Sequence, residues 1–301
     1  MKRNILLLFT FFACITVQGQ TPVRLVDLRS EHLDRPIGLD NPVPRLSWRM
    51  EDGRQGAVQT SWRIVVDEDS LNVVNGCGRM WDSGKNDSRN QLVAYAGKKL
   101  QPFTRYYWKV ICSDMEYKET ASPVSYFETG MMGMQHWQGA WIGDGKDIHY
   151  GPAPYFRKEF KTGKKVKSAR AYIAAAGLYE LYINGEKIGD HCLAPLYTRF
   201  DRRNLYVAYD VTSQLQNGDN AIGVLLGNGW YNHQSKAVWD FDRAPWRNRP
   251  TFCLDLRITY TDGSVETIPT DLSWRTASGA ITFNSIYTGC LLYTSPSPRD
   301  A

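Results

Sequence analysis

Ala169-Arg170-Ala171-Tyr172-Ile173-Ala174-Ala175-Ala176-Gly177-Leu178-Tyr179-Glu180-Leu181-Tyr182-Ile183-Asn184-Gly185-Glu186-Lys187-Ile188-Gly189-Asp190 is the stretch that decides the fold. Two runs suited to β-strands flank Gly177. The second meets Asn184-Gly185, a pair whose easy positive φ values suit the two-residue turn of a hairpin. The strands are expected to turn back on themselves here. Further on, Tyr209-Asp210-Val211-Thr212 precedes Asn220–Leu226, a buried type of strand, which ends in Gly227-Asn228-Gly229-Trp230-Tyr231, a Gly-rich turn beside two aromatics.

Around this module the pattern stays β. Tyr155–Phe160 reads as a strand before it. After it, Thr251–Thr259 and Val265–Ile268 flank the turn Tyr260-Thr261-Asp262-Gly263-Ser264, and Trp274-Arg275-Thr276 is another short strand. Residues 139–289 are therefore expected to form a jelly-roll β-sandwich lacking its final strand. Upstream, residues 20–45 are rich in Pro, Asp and Arg and read as an extended leader, since repeated Pro excludes a helix. Strands are expected at Leu46–Arg49, Trp62–Val66 and Ser125–Thr129, with a turn at Trp81-Asp82-Ser83-Gly84. The strongest alternation places Leu100, Pro102, Thr104, Tyr106, Trp108, Val110 and Cys112 at every second position, the spacing that puts side chains on one face of a sheet. Without a helical period and with frequent turns, residues 20–130 read as a fibronectin type III or Ig-like β-sandwich, and 131–138 as a connector. The fold class is all-β.

The two ends differ from the rest. Met1-Lys2-Arg3, the apolar run Ile5–Val17 and small Gly19 have the layout of a secretory signal, so residues 1–19 are expected to be removed and the mature chain to be periplasmic or secreted. A lipidated Cys14 is the alternative, but the apolar run continues past it. No later stretch offers the roughly 20 apolar residues of a membrane span. At the other end, Cys290–Asp300 matches one reading frame of a transposase sequencing adapter; residues 290–301 are set aside as an artefact, and the genuine sequence is expected to stop near Gly289.

The formal net charge of +5 comes without a basic run or basic helix, so no nucleic-acid partner is expected. Cys77, Cys112, Cys192 and Cys253 do not have metal-like spacing and are expected to be free and buried.

Taken in order, Tyr179–Gly185, Leu193-Ala194-Pro195, Tyr209–Thr212 and Gly227–Tyr231, preceded by Phe127-Glu128-Thr129-Gly130, resemble the N-terminal part of bacterial α-L-rhamnosidases of glycoside hydrolase family 78. The resemblance covers most of residues 23–289. It implies a fibronectin-type domain followed by a jelly-roll domain, in an enzyme that hydrolyses terminal α-L-rhamnosyl residues with inversion. It also implies that the catalytic carboxylates lie in a later (α/α)₆ barrel, so no catalytic residue is assigned and the fragment is expected to be inactive.

Some relatives of this type bind rhamnose through calcium, which takes hard oxygen ligands and accepts vicinal hydroxyls. The resemblance thus implies a possible calcium, with no cofactor required. Candidate oxygen donors are Asn184, Asp190, Asn228, Asp240 and Asp242; Trp230, Tyr231 and Trp239 could stack on a sugar. The competing expectation is that Asn184-Gly185 is only a turn, Asp190 caps a loop and Gly227–Tyr231 packs against a neighbouring domain. The aromatic and basic loop His233–Arg249 is expected to dock on the missing catalytic domain, and His191, beside Asp190 and Cys192, has no evident third partner for catalysis. A non-catalytic carbohydrate-binding or adhesin protein, or the accessory region of another exo-glycosidase, remains the alternative function.

Overall fold

A computed structural model describes residues 22–234, 236 and 239–288. The expected signal segment 1–19 with Cys14, and the segment 290–301, lie outside the described residues. The described residues divide into two compact units: 22–36, 43–99 and 105–127 form the first, while 37–42, 100–104 and those described between 128 and 288 form the second.

The first unit contains β1 (Arg24–Ser30), β2 (Arg45–Glu51), β3 (Ser61–Asp67), the one-turn helix α1 (Ser70–Val74), β4 (Trp81–Asp82), β5 (Leu92–Ala94), β6 (Arg105–Ser113), β7 (Glu119–Ala121) and β8 (Ser125–Glu128). One sheet runs β1-β2-β5 and the other β4-β3-β6-β7, with β8 paired to β6. The alternation in β6 is as expected, for Tyr106, Trp108, Val110 and Cys112 are all buried. Leu100, Pro102 and Thr104, which continue the alternation in sequence, precede the strand. The leader is not simply extended loop, since β1 pairs antiparallel with β2, with a register shift between Val26 and Arg29. Helix α1 is too short to leave a period in the sequence; Asp69 starts it by accepting the Leu71 N–H on its carboxylate.

The second unit continues with β9 (Pro154–Thr162), β10 (Val166–Ala176), β11 (Leu178–Ile183), β12 (Glu186–Lys187), β13 (Tyr206–Asp210), β14 (Gly218–Gly227), β15 (Thr251–Tyr260), β16 (Val265–Pro269) and β17 (Arg275–Ser278). Its two sheets are β13-β10-β15-β16 and β12-β11-β14-β9-β17, all pairs antiparallel. Between them lies a core that includes Phe156, Ile173, Leu181, Val224, Phe252, Leu254 and Trp274. This is the expected jelly-roll type of sandwich. Asn184 and Gly185 take φ of 51° and 84° and close the β11–β12 hairpin as expected. Gly177 acts differently from a hairpin turn: β10 and β11 belong to different sheets, and the chain crosses between them there. Its φ is 123°, and a Cβ at this position would meet Gly227 O at 2.5 Å, so a side chain is excluded both by conformation and by space.

Strand β10 carries this unit. Ala169, Ala171, Ile173 and Ala175 face the inter-sheet core, yet Arg170, Tyr172, Ala174 and Ala176 on the opposite face are buried too. Segments 37–42, 100–104 and 128–138 supply the groups that meet that second face. Phe103 and Tyr206 pack edge-on against Tyr172, with centroids 5.6 and 6.0 Å away. Tyr206 donates its hydroxyl to Asp40 Oδ1 and accepts the Met131 N–H. Arg170, the one charge on the strand's buried stretch, makes two parallel bonds to Glu128, at 2.7 Å from Nε and 3.0 Å from Nη2, and reaches Asp210 at 2.9 Å. Burial alone would lower the Arg170 pKa, but the Glu128 carboxylate outweighs it and the pKa rises.

The cysteines depart in part from expectation. Cys112 and Cys253 are buried, and burial pushes their thiols up to about 12 and about 11. Cys77 and Cys192 are free but exposed, because each falls in a loop and not on an inward strand position.

Removing one partner of a buried ion pair strands the other charge. Arg170→Met is therefore expected to destabilise the chain by about 3–5 kcal/mol in urea denaturation, whereas the double variant Arg170→Met/Glu128→Leu recovers much of that loss. Equal losses for the single and double variants would contradict a paired, buried charge.

Candidate functional site

The eight positions expected to contact ligand do not converge on one point. Asn184 sits where β11 leaves its pairing with β14, beside Ala221, while Asn228 follows the far end of β14, where Leu178 pairs with Gly227. At strand rise the two ends are about 20 Å apart. Asn184 is engaged by β14 and the loop before it: its amide donates to Gln214 O at 2.8 Å and Asn220 Oδ1 at 2.9 Å, and its oxygen accepts the Ala221 N–H at 2.9 Å. Asp190 projects into solvent with only a 3.7 Å approach to His191, whose ring lies edge-on to Tyr209.

Asn228, Trp230, Tyr231 and Trp239 do come together, at the far end of β14. Phe241 is the hub. Its ring centroid lies 5.7 Å from Trp230, 5.8 Å from Trp239, 5.8 Å from Trp246 and 5.9 Å from Tyr197. Phe200 extends the cluster to Tyr231 at 5.2 Å, and Tyr287 closes on His233 at 5.2 Å. Most of these pairs are edge-to-face, the arrangement ring quadrupoles favour. Burial lowers the His233 pKa, with Asp242 opposing that shift and Arg247 reinforcing it, and burial raises that of Tyr231. Trp239 differs from its neighbours: it is 81% exposed and offers a free ring face.

Beneath the rings a polar layer fixes the loops. Asn228 is 3% exposed; its N–H donates to Asn284 Oδ1 at 2.6 Å, its side-chain amide donates to Asn284 O at 3.1 Å, and its side-chain oxygen accepts from Asn232 Nδ2 at 3.3 Å. Asn232 donates to Ile148 O and accepts from Arg247 Nε. Arg249 grips Asp144 through Nε at 3.0 Å and Nη2 at 2.7 Å, and donates to Tyr150 O and Pro152 O. Burial works against the charge of Asp144, but the Arg249 bonds prevail and its pKa is lowered. Loops 144–152, 228–233, 242–249 and 284–287 are thus tied into one end of the sandwich.

Asn184 and Asn228 do not share one cation. Calcium wants six to eight oxygens at one point, but Asn184 and Asn228 are at opposite ends of a strand and their amides serve the fold. Among the described residues, no three His, Cys, Asp or Glu side chains gather to hold a metal ion. Phe241 lies in the aromatic and basic loop His233–Arg249, whereas Tyr197, Phe200 and Tyr287 are members of the cluster that the sequence pattern did not single out. The run Leu196-Tyr197-Thr198-Arg199-Phe200, aromatic residues in a segment without strand alternation, was the available signal.

The fold and the loop end define an all-β region of two sandwich units, the first Ig-like and the second two-sheeted with an aromatic loop end. The profile described as "Rha78A-like, N-terminal immunoglobulin domain" matches residues 25–133, and "Alpha-L-rhamnosidase N-terminal domain" matches residues 164–291. An α-L-rhamnosidase of Formosa agariphila is 32% identical over 314 residues, which take in 95% of this chain and 33% of that protein. One from Alteromonas sp. is 30% identical, over 84% of this chain and 29% of its own length. The solved α-L-rhamnosidase of Dictyoglumus thermophilum superposes with a TM-score of 0.81 at 38% identity, covering 88% of this chain and 30% of that one. What the chain matches is the N-terminal domains of α-L-rhamnosidases, one after the other. It spans about a third of the length of the curated relatives.

If Asn184 serves the turn and not a ligand, Asn184→Ala will lower stability by about 2 kcal/mol, from lost hydrogen bonds and an Ala at positive φ, in chemical denaturation. Unchanged stability together with lost sugar binding would instead assign it to a ligand.

Proposed function

We propose that the chain is the non-catalytic N-terminal region of an exported α-L-rhamnosidase, and that the complete protein removes terminal α-L-rhamnosyl residues from plant glycans or glycosides. The observation that carries this reading is the order of the two matches: an N-terminal immunoglobulin domain and then a rhamnosidase N-terminal domain, on one chain that covers about a third of a rhamnosidase's length. Export rests on the signal-like Met1–Gly19, and among the described residues no helix is long and apolar enough to cross a membrane. In this reading the loop end around Phe241 serves the rest of the enzyme. Asn228 is part of its scaffold, Trp230 and Tyr231 are part of its packed rings, and Trp239 is the member open to a partner or a sugar ring.

The test compares two proteins for release of nitrophenol from 4-nitrophenyl α-L-rhamnopyranoside: the chain described above, and the product read from genomic DNA through codon 289 and onward. Activity is expected in the second and not in the first. Hydrolysis by the chain itself, or a continuous product without activity, would overturn the proposal.

A further inference from the structure

The outer face of the five-stranded sheet carries a groove of about 740 Å³ that shares no lining residue with the Phe241 loop cluster. Its floor is missing a side chain. Gly223 in β14 stands in register between Tyr182 of β11 and Arg157 of β9, with Ala221 next on the same face. Gly223 is not needed for its backbone: a Cβ there would meet only Phe156 O at 3.7 Å and Tyr182 Cβ at 3.8 Å, ordinary contacts. The position is thus free to carry a larger residue, and its smallness keeps the groove open.

Tyr155 and Tyr182 line the groove together with Arg157, Lys158, Glu159 and Arg275. Tyr182 is oriented by donating its hydroxyl to Glu180 at 2.7 Å. Tyr155 is braced from below by the small buried cluster Ala153, Leu225 and Ile281. The charge pattern is the unusual part. Arg275 of β17 is the direct cross-strand partner of Arg157, and both line the groove. Like charges at directly opposed positions repel. Arg157 is relieved by Glu159 at 2.8 Å, and nearby Lys158 by Asp271 at 2.8 Å. Arg275 has no ion-pair partner among the described residues.

We propose that this groove binds an acidic saccharide, with the carboxylate of a uronic-acid unit set against Arg275 and Arg157 and the sugar rings lying over Gly223 between Tyr182 and Tyr155. A carboxylate there offsets the Arg–Arg repulsion and can take the paired bonds that guanidinium groups favour. The tyrosines supply the flat, amphipathic contacts that suit sugar rings. The choice of a saccharide over an acidic peptide rests on the rhamnosidase reading; the charge argument does not.

Calorimetric titration of the full chain tests it, with digalacturonate, the uncharged disaccharide galactobiose and a Glu-rich peptide as probes. Digalacturonate is expected to bind, more weakly as salt rises, and galactobiose not to bind measurably. Arg275→Gln, at an exposed position, should keep the unfolding temperature and weaken digalacturonate binding by about tenfold. Gly223→Leu should abolish it, with folding checked by the same melt. Equal binding of the two sugars, unchanged affinity in Arg275→Gln, no heat at millimolar sugar, or tighter binding of the peptide would each overturn the proposal. The titration does not depend on catalysis, so an inactive complete enzyme would sink the rhamnosidase reading while leaving this result to stand by itself.

Discussion

A strand buried on both faces cannot carry a charge unless that charge finds a fixed partner, and this constraint on β10 shapes the second unit. Arg170 lies among alanines and aromatics, 8% exposed, and its guanidinium needs a carboxylate at a defined place. Glu128 provides it from the segment that leaves β8. The residues that follow Glu128, together with 37–42 and 100–104, then meet the remaining outer positions of β10 through Tyr172, Tyr206 and Phe103. Arg257 lies 4.4 Å from the Phe103 ring and adds a cation–π contact. An ordinary half-exposed sheet would need none of these segments.

From β10 the rest of the sandwich follows. Gly177 moves the chain into the facing sheet within one residue, so that β11 can pair with β14 and seal the core from the other side. The same crossing sends β14 back toward the loop end, where Asn228, Asn232, Arg247 and Arg249 tie four loops together and the rings around Phe241 pack above them. The opposite end of β14 is closed by Asn184 and Asn220, two amides that bond each other and satisfy backbone groups of Gln214, Ala221 and the Gln216–Gly218 turn. One strand therefore joins a structural end to an aromatic end.

How much of this was legible follows the range of the interactions. Local signals read well: the Asn184-Gly185 and Asp262-Gly263 turns close hairpins, and the alternation of Tyr106, Trp108, Val110 and Cys112 marks a buried strand face. Non-local facts did not. Nothing in 37–42 or 100–104 announces that they belong to the second unit, because the tie is made by hydrogen bonds such as Leu39 N–H to Glu128 O and Phe103 N–H to Gly130 O across long stretches of chain. At the candidate site, Trp230, Tyr231 and Trp239 stood out by residue type. Tyr197 and Tyr287 join them only through tertiary folding. Asn184 and Asn228 looked alike in sequence, and only the direction of β14 puts them at opposite ends.

Native-state hydrogen exchange across a denaturant series tests the central claim, that β10 is closed on its outer face by segments from elsewhere in the chain. The amides of Leu39, Phe103 and Gly130 are predicted to exchange at the same opening free energy as Ile173 and Leu254. Exchange of those three amides at lower free energy, or together with Ile64 and Trp108 of the first unit, would contradict it.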